Sequence, residues 1–211
     1  MDRASQLKSS MRSRHFVRFS RPFEDETIRG YVLAVGREMF LIAVVSDQIR
    51  FNGFQAFRIR DVRKFARDPF AAFAESALRA RRGHRPRRPK VSIANLRRLL
   101  QSAGRTFTLV TIHRERIDPS VCWIGRVVKV GKDRLSLLEI GPDAVWNAEP
   151  TEYSLRDITK VEFGGDYEGA LYLVGGEPSG PPSGAKRPIG PARAVQAPGS
   201  KAGSRRSRRR A

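Results

Sequence analysis

Two runs of cationic side chains are the residues of this chain best suited to binding chemistry. Residues 79–90 hold seven arginines and lysines in twelve positions, together with one glycine and two prolines. Residues 204–211 hold five more arginines. Arginine donates paired hydrogen bonds to phosphate, and each neutralised phosphate of a nucleic acid releases counterions. The candidate phosphate-contacting residues are Arg79, Arg81, Arg82, Arg85, Arg87, Arg88, Lys90, Arg205, Arg206, Arg208, Arg209 and Arg210.

The formal net charge of +20 is concentrated in these runs. Residues 79–98 and 185–211 each hold nine basic residues and no acidic residue, whereas residues 23–78 hold eight of each sign and residues 99–184 hold nine basic against twelve acidic. This segregation favours a polyanionic partner, and a solvated spacer with a solubilising tail is the alternative. Neither run contains Phe, Tyr or Trp, which argues against base stacking and predicts contacts that do not depend on base sequence.

Catalytic and metal-binding arrangements are absent from the sequence. The three histidines occur in unrelated contexts without a second ligand at metal-binding spacing, and the single cysteine, Cys122, is interpreted as a small apolar filler. Asp61 and Asp157 each follow an arginine in equivalent contexts, which indicates turn capping beside a surface ion pair. The glycine pairs lack the Lys and Ser or Thr of a phosphate loop. We therefore predict no enzyme, no cofactor and no metal.

The elements that must position the cations belong to an internal repeat. GYVLAVGREMFLIAVV at 30–45 aligns with GRVVKVGKDRLSLLEI at 125–140, and FRIRDV at 57–62 aligns with YSLRDI at 153–158. The first pair predicts hairpins around Gly36 and Gly131, where glycine is expected to supply a positive φ. The second pair predicts strands with aromatic and aliphatic side chains inward and arginine outward. Each copy has about five candidate strands.

Short helices are predicted beside both copies. One begins at Asp68-Pro69 and carries an apolar stripe. Another follows a Ser92 cap, has its own apolar stripe, and ends at Gly104. Residues 1–14 are a candidate counterpart of this second helix ahead of the first copy. The expected core-facing residues are Phe70, Phe73, Ala74, Ala77 and Leu78 in the first helix and Ile93, Leu96, Leu99 and Leu100 in the second.

Residues 57–65 and 153–161, with the hairpins at Gly36 and Gly131, resemble the Sm-like and SH3-like small-barrel superfold over about residues 15–66 and 92–163. The resemblance implies two tandem five-stranded barrels in a mainly β chain with short helices. Sm-like proteins commonly bind RNA, often as rings, but their RNA-binding loop motif does not occur here. The expected divisions are a first barrel with its helix at 15–78, a basic linker at 79–91, a second barrel with its helix at 92–174 and a disordered basic tail at 175–211.

The function predicted from these patterns is non-enzymatic association with nucleic acid, with RNA favoured, through sequence-nonspecific phosphate contacts. The alternative is a protein-interaction or scaffold module whose barrel loops contact a partner. Trp146 and the aromatics of residues 51–54 lie in such loops, either as contact residues or folded back over a barrel end. No signal peptide or membrane span is apparent, so a soluble cytoplasmic protein is expected. The patterns leave the oligomeric state open, and with it whether the two copies pair within one chain or between chains.

Overall fold

Antiparallel strands dominate the computed structural model, which describes residues 2–24, 27–83, 86–178 and 195–196. Ten of them form one open sheet in the order β5-β1-β2-β3-β4-β10-β6-β7-β8-β9, and a two-residue strand, β11, pairs with β7. The strands are β1 (Phe16–Phe19), β2 (Ile28–Val35), β3 (Met39–Val45), β4 (Phe51–Arg58), β5 (Phe65–Arg67), β6 (Val110–His113), β7 (Val121–Val130), β8 (Arg134–Glu139), β9 (Thr151–Ser154), β10 (Lys160–Phe163) and β11 (Val195–Gln196). The mainly β class is confirmed; a division into two barrels is not.

Four short helices accompany the sheet, and capping residues explain where two of them begin. They are α1 (Arg3–Ser13), α2 (Ala71–Ala80), α3 (Leu96–Thr106) and α4 (Asp166–Gly175). Asp2 Oδ1 accepts a hydrogen bond from Ser5 N at 2.8 Å, and Asn95 Oδ1 accepts one from Arg98 N at 2.9 Å. No helix in the described part of the chain combines the length and apolar character needed to cross a bilayer.

The second half of the sheet repeats the pairing of the first half, as the aligned sequences require. β6 pairs with β7 and β10 as β1 pairs with β2 and β5. The β2–β3 ladder is interrupted between Val32 and Ala34, and the β7–β8 ladder is interrupted between the aligned Val127 and Lys129. A 3-10 turn follows the fourth strand of each half, at Ile59–Asp61 and Leu155–Asp157. The repeat therefore extends to the position of a bulge.

The junction between the halves is a strand pair. β4 pairs antiparallel with β10, so that Phe57 lies opposite Lys160 and Phe54 lies opposite Phe163. Gln55 Nε2 donates across this ladder to Glu162 Oε2 at 2.6 Å.

The strand β3 shows how deeply the halves share a core. Met39 and Leu41 face a cluster that includes residues of α3 and the second half, whereas Phe40 and Ile42 face a cluster belonging to the first half. All four side chains are fully buried. A strand covered on both faces needs an uninterrupted apolar run, which is what residues 39–45 supply.

Two local predictions are wrong in detail. Gly36 and Gly131 do not have positive φ values; Gly36 is instead crowded by the segment that leads into α3, since a Cβ there would lie 2.1 Å from the carbonyl oxygen of Ile93. α3 begins after an Asn95 cap and continues past Gly104, where the missing side chain lets the helix approach Val127 of β7.

Candidate nucleic-acid interface

A pair of adjacent turns recurs at one end of each half and carries exposed cations. The backbone N–H of Ile59 donates to the carbonyl of Glu38 at 2.8 Å, and that of Leu155 donates to the carbonyl of Asp133 at the same distance. These bonds fasten the 3-10 turn of each half to its hairpin turn. The turn pairs carry four exposed cationic side chains, from Arg37 and Arg60 in the first half and from Lys132 and Arg156 in the second.

The turn pair of the second half borders an open depression of about 600 Å³. Its lining includes three cations, Lys132, Arg134 and Arg156, and two carboxylates, Asp133 and Asp157. The side chain of Arg156 is 89% exposed and its Nε lies 3.5 Å from Asp157 Oδ1. The excess of cations suits a small anionic group such as a single phosphate.

The turn pair of the first half contributes to the junction between the halves. Arg58 Nε donates to the carbonyl of Ile158 at 2.8 Å, and its Nη2 donates to that of Leu155 at 3.1 Å. Burial, followed by the charges of Arg60 and Arg116, lowers the pKa of Arg58. Ser154 occupies the aligned position in the second half, so this clamp has no counterpart there.

Asp61 is buried rather than capping a surface turn. Arg116 Nη2, from the loop between β6 and β7, lies 2.5 Å from Asp61 Oδ1, whereas Arg60 Nε is 4.0 Å from the same oxygen. The prediction of a surface ion pair is therefore wrong for Asp61, because the second half supplies the closer cation. Asp157 keeps its neighbouring arginine and is only partly buried.

A buried ion cluster joins loops of the two halves. The fully buried side chain of Arg21 brings Nη2 within 2.5 Å of Glu115 Oε1 and also pairs with Glu24. Lys160 Nζ lies 3.7 Å from Glu24 and 3.9 Å from Glu115. Burial alone lowers the pKa of Arg21, but the bonds and charges of Glu24 and Glu115 outweigh it and raise the pKa. The charges compensate one another, so the cluster holds the halves together and presents little charge to a ligand.

His113 lies beside this cluster and is fully enclosed. Its Nε2 is 2.5 Å from Glu162 Oε1, and Lys160 Nζ is 3.0 Å from the same oxygen. Burial and then the charge of Lys160 lower the pKa of His113, so the imidazole is neutral at neutral pH. Burial raises the pKa of Glu162, but Lys160 and His113 bring it well below its usual range. His113 is thus a buried, neutral imidazole in close contact with Glu162.

The predicted basic segment is held at both ends, and its described arginines and lysine are exposed to solvent. α2 continues to Ala80, so Arg79 belongs to the helix, and the buried Leu78 and Val91 anchor the two ends. Arg79 Nη2 donates to Ser76 Oγ at 3.0 Å, and Arg81 donates to the carbonyl of Gln48. Within the described residues, none of the segment's cations pairs with a carboxylate. The solvent-exposed members are Arg79, Arg81, Arg82, Arg87, Arg88 and Lys90.

The remaining predicted contact residues lie outside the described residues: Arg85, Arg205, Arg206, Arg208, Arg209 and Arg210, as does most of the segment predicted to be a disordered tail.

Cys122 is the single cysteine, and its environment can be described directly. Burial, followed by the charge of Glu162, raises the pKa of Cys122 to about 12, which keeps its thiol protonated. Across the residues that the structure describes, no three His, Cys, Asp or Glu side chains converge as metal ligands would. Trp146 is folded back, with its Nε1 donating to the carbonyl of Gly176 at 3.1 Å. That outcome matches the folded-back interpretation of its loop.

Sequence reasoning missed two surface features. Phe70 and Phe73 were expected to face the core, yet they are 66% and 65% exposed. Leu173 and Val174 at the end of α4 are also exposed. An apolar stripe in the sequence identifies α2, but the arc that faces the sheet is occupied by Ala71, Ala74 and Leu78, which pack against Phe16, Tyr31 and Val45.

These features define a class: a β-rich chain of two repeated five-strand units, joined through a strand pair, with basic turns and a basic connecting segment at the surface. Comparison with protein-family models, with curated proteins and with solved structures finds no match to this chain.

Proposed function

We propose that this chain is a non-enzymatic nucleic-acid-associated protein, with RNA as the favoured polymer, that contacts phosphates without reading base sequence. The observation that carries the proposal is the set of six exposed cations between Arg79 and Lys90, which have no carboxylate partner in the described structure. Phosphate oxygens are the natural partners of such a set, and counterion release supplies the driving force. The arginines of residues 205–210 are proposed to add to the same affinity.

The twin turn pairs are proposed as a second, fixed group of phosphate contacts. They lie at aligned positions of the two halves, and each presents two exposed cations on a backbone that is hydrogen-bonded in place. The strand order and pairing repeated between the halves support the interpretation of each half as one Sm-like or SH3-like barrel unit. In that interpretation, residues 15–78 and 92–174 are the units, residues 79–91 connect them, and residues 175–211 form the tail.

A protein partner is the second candidate function. The exposed side chains of Leu173 and Val174 favour it, because these adjacent aliphatic residues lie at the end of α4 with 85% and 76% of their surface accessible. A protein complex formed through them is expected to depend little on salt and to persist when residues 179–211 are removed.

Salt-dependent binding of a labelled RNA distinguishes the two candidates. Fluorescence anisotropy over a range of salt concentrations gives the slope of log K against log salt, whose magnitude is about 0.7 for each phosphate of a single strand that the protein neutralises. Replacing Arg87 and Arg88 with alanine is expected to reduce this magnitude by up to about 1.4. Replacing Lys8 and Arg12 of α1 removes the same charge and is the matched control. Absence of RNA or DNA binding by the full chain near physiological salt would contradict the proposal.

A further inference from the structure

The start of α2 exposes two aromatic side chains, Phe70 at the capping position before the helix and Phe73 in its first turn. Ala71, Ala74 and Leu78 pack against the sheet, and Phe70 and Phe73 remain 66% and 65% exposed. Burial normally favours the opposite arrangement, since phenylalanine has far more apolar surface than alanine. The two rings are three residues apart, a spacing that makes side chains neighbours at a helix surface.

The residues that flank these rings in the sequence include exposed cations and no exposed carboxylate. Arg67 lies three residues before Phe70, and Arg79 Nη2 reaches back to Ser76 Oγ at 3.0 Å, where Ser76 is the helical neighbour of Phe73 three residues on. The described acidic residues nearest in sequence face elsewhere: Asp68 is buried and holds Arg29 at 3.1 Å, and Glu75 accepts a hydrogen bond from Tyr31 Oη at 3.3 Å. α2 then runs directly into the basic segment. A surface of flat apolar rings beside unpaired cations fits a polyanion that itself carries flat rings.

We propose that Phe70 and Phe73 form a stacking platform for the unpaired bases of single-stranded nucleic acid, whose phosphates are held by Arg79 and by the described cations of the basic segment that follows. In a duplex the base faces are stacked on one another, so the platform discriminates for single strands. Stacking tolerates every base, so binding remains independent of sequence. This inference rests on the proposed function and specifies its ligand class. The two basic runs argued against stacking because they contain no aromatic residue, whereas Phe70 and Phe73 lie just before the first run.

The test compares two fluorescent RNA probes of about 12 nucleotides, one a single-stranded uridine oligomer and the other a duplex of equal length. Changing Phe70 and Phe73 together to alanine is expected to weaken single-strand binding at least about tenfold and to leave duplex binding unchanged. The double change to tyrosine keeps the rings and should retain the affinity, whereas the double change to leucine keeps only apolar surface and should not. Alanine at Leu173 and Val174 is the matched control for exposed apolar surface.

The outcomes separate this inference from the proposed function. If the unaltered chain binds neither probe, both fail. If it binds both probes and the alanine variant binds them equally well, the platform is refuted while the phosphate contacts stand. If the leucine variant binds the single strand as tightly as the unaltered chain, the surface acts through general apolar contact and the stacking proposal is overturned. Unchanged urea unfolding of all variants verifies that only the exposed surface was altered.

Discussion

A core substitution in the first half should unfold the second half as well. Phe40 is fully buried and packs against Phe19 and Phe57 at centroid distances of 5.3 and 5.6 Å, in a cluster confined to the first half. Truncating such a side chain to alanine costs about 3–5 kcal/mol. With an unfolding slope of roughly 2–3 kcal/mol per molar urea for a chain of this size, the midpoint is expected to fall by about 1–2.5 M.

Tryptophan fluorescence can report whether the second half unfolds with the first. Both tryptophans, Trp123 and Trp146, lie in the second half, so their fluorescence follows the half that Phe40→Ala does not touch. Because β4 and β10 form one ladder and β3 packs on both cores, the tryptophan transition should move with the substitution. The same change at the exposed Val128 is the control. A tryptophan midpoint that stays in place while hydrogen exchange in β3 accelerates would show that the halves unfold independently.

Three further substitutions test particular contacts by urea unfolding. Arg21→Ala leaves the carboxylate of Glu115 buried without its main cation and should lower the free energy of unfolding by about 3–5 kcal/mol. Replacing both Arg21 and Glu115 with methionine should restore most of that stability. An equally large loss in the double variant would contradict this expectation. Burial lowers the pKa of His113, so only the unfolded chain gains a proton there, and the free energy of unfolding should fall as the pH drops below about 6.5. His113→Gln should flatten the dependence of the unfolding free energy on pH below that value. An unchanged pH dependence in this variant would refute the role of His113. Gly104→Ala should lower the free energy of unfolding by about 1–3 kcal/mol, because a Cβ there would lie 2.6 Å from Val127. Gly169→Ala, where a Cβ would meet nothing within 4 Å, should raise it by about 0.5–1 kcal/mol. A change of the same sign in both variants would refute the packing argument.

The repeated strands were predictable because they depend on local patterns. The apolar run at residues 39–45, the hairpin turn before it and the aligned stretch in the second half each leave a signature within a few residues. The pairing of β4 with β10, in contrast, leaves no local signature in the sequence. It is made of backbone hydrogen bonds between residues more than 100 positions apart, and any strand edge with compatible curvature could satisfy them.

The orientation of single side chains was the other limit. Arg58 and Arg60 both follow inward-facing residues and were both expected to point outward. The strand ends at Arg58, and Arg60 lies in the 3-10 turn, where the alternation of two no longer applies. Arg60 nevertheless stays in solvent, whereas Arg58, the last residue of β4, reaches carbonyls of the second half that no local pattern places beside it. α2 shows the same limit, since its apolar stripe did not reveal that Phe70 and Phe73 would remain outside.

Duplication followed by divergence makes the two turn pairs a natural internal comparison. In the first half, the carboxylate of Asp61 is held by Arg116 at 2.5 Å, so it neutralises Arg60 poorly. In the second half, Asp157 lies 3.5 Å from Arg156. Burial, and after it the charges of Arg60 and Arg116, lower the pKa of Arg58, so three cations lie close together beside the first turn pair.

An anion bound there relieves repulsion between cations, whereas an anion at the second pair must compete with Asp157. Arg60→Ala should therefore weaken RNA binding more than Arg156→Ala, although each removes one charge from an aligned position. The effect at Arg60 should appear as a decrease of about 0.7 in the magnitude of the salt slope, the value for one phosphate of a single strand. Anisotropy titrations of both variants measure it. An equal effect, or a larger one from Arg156→Ala, would mean that the open depression of the second half, rather than accumulated charge, decides where the phosphate binds.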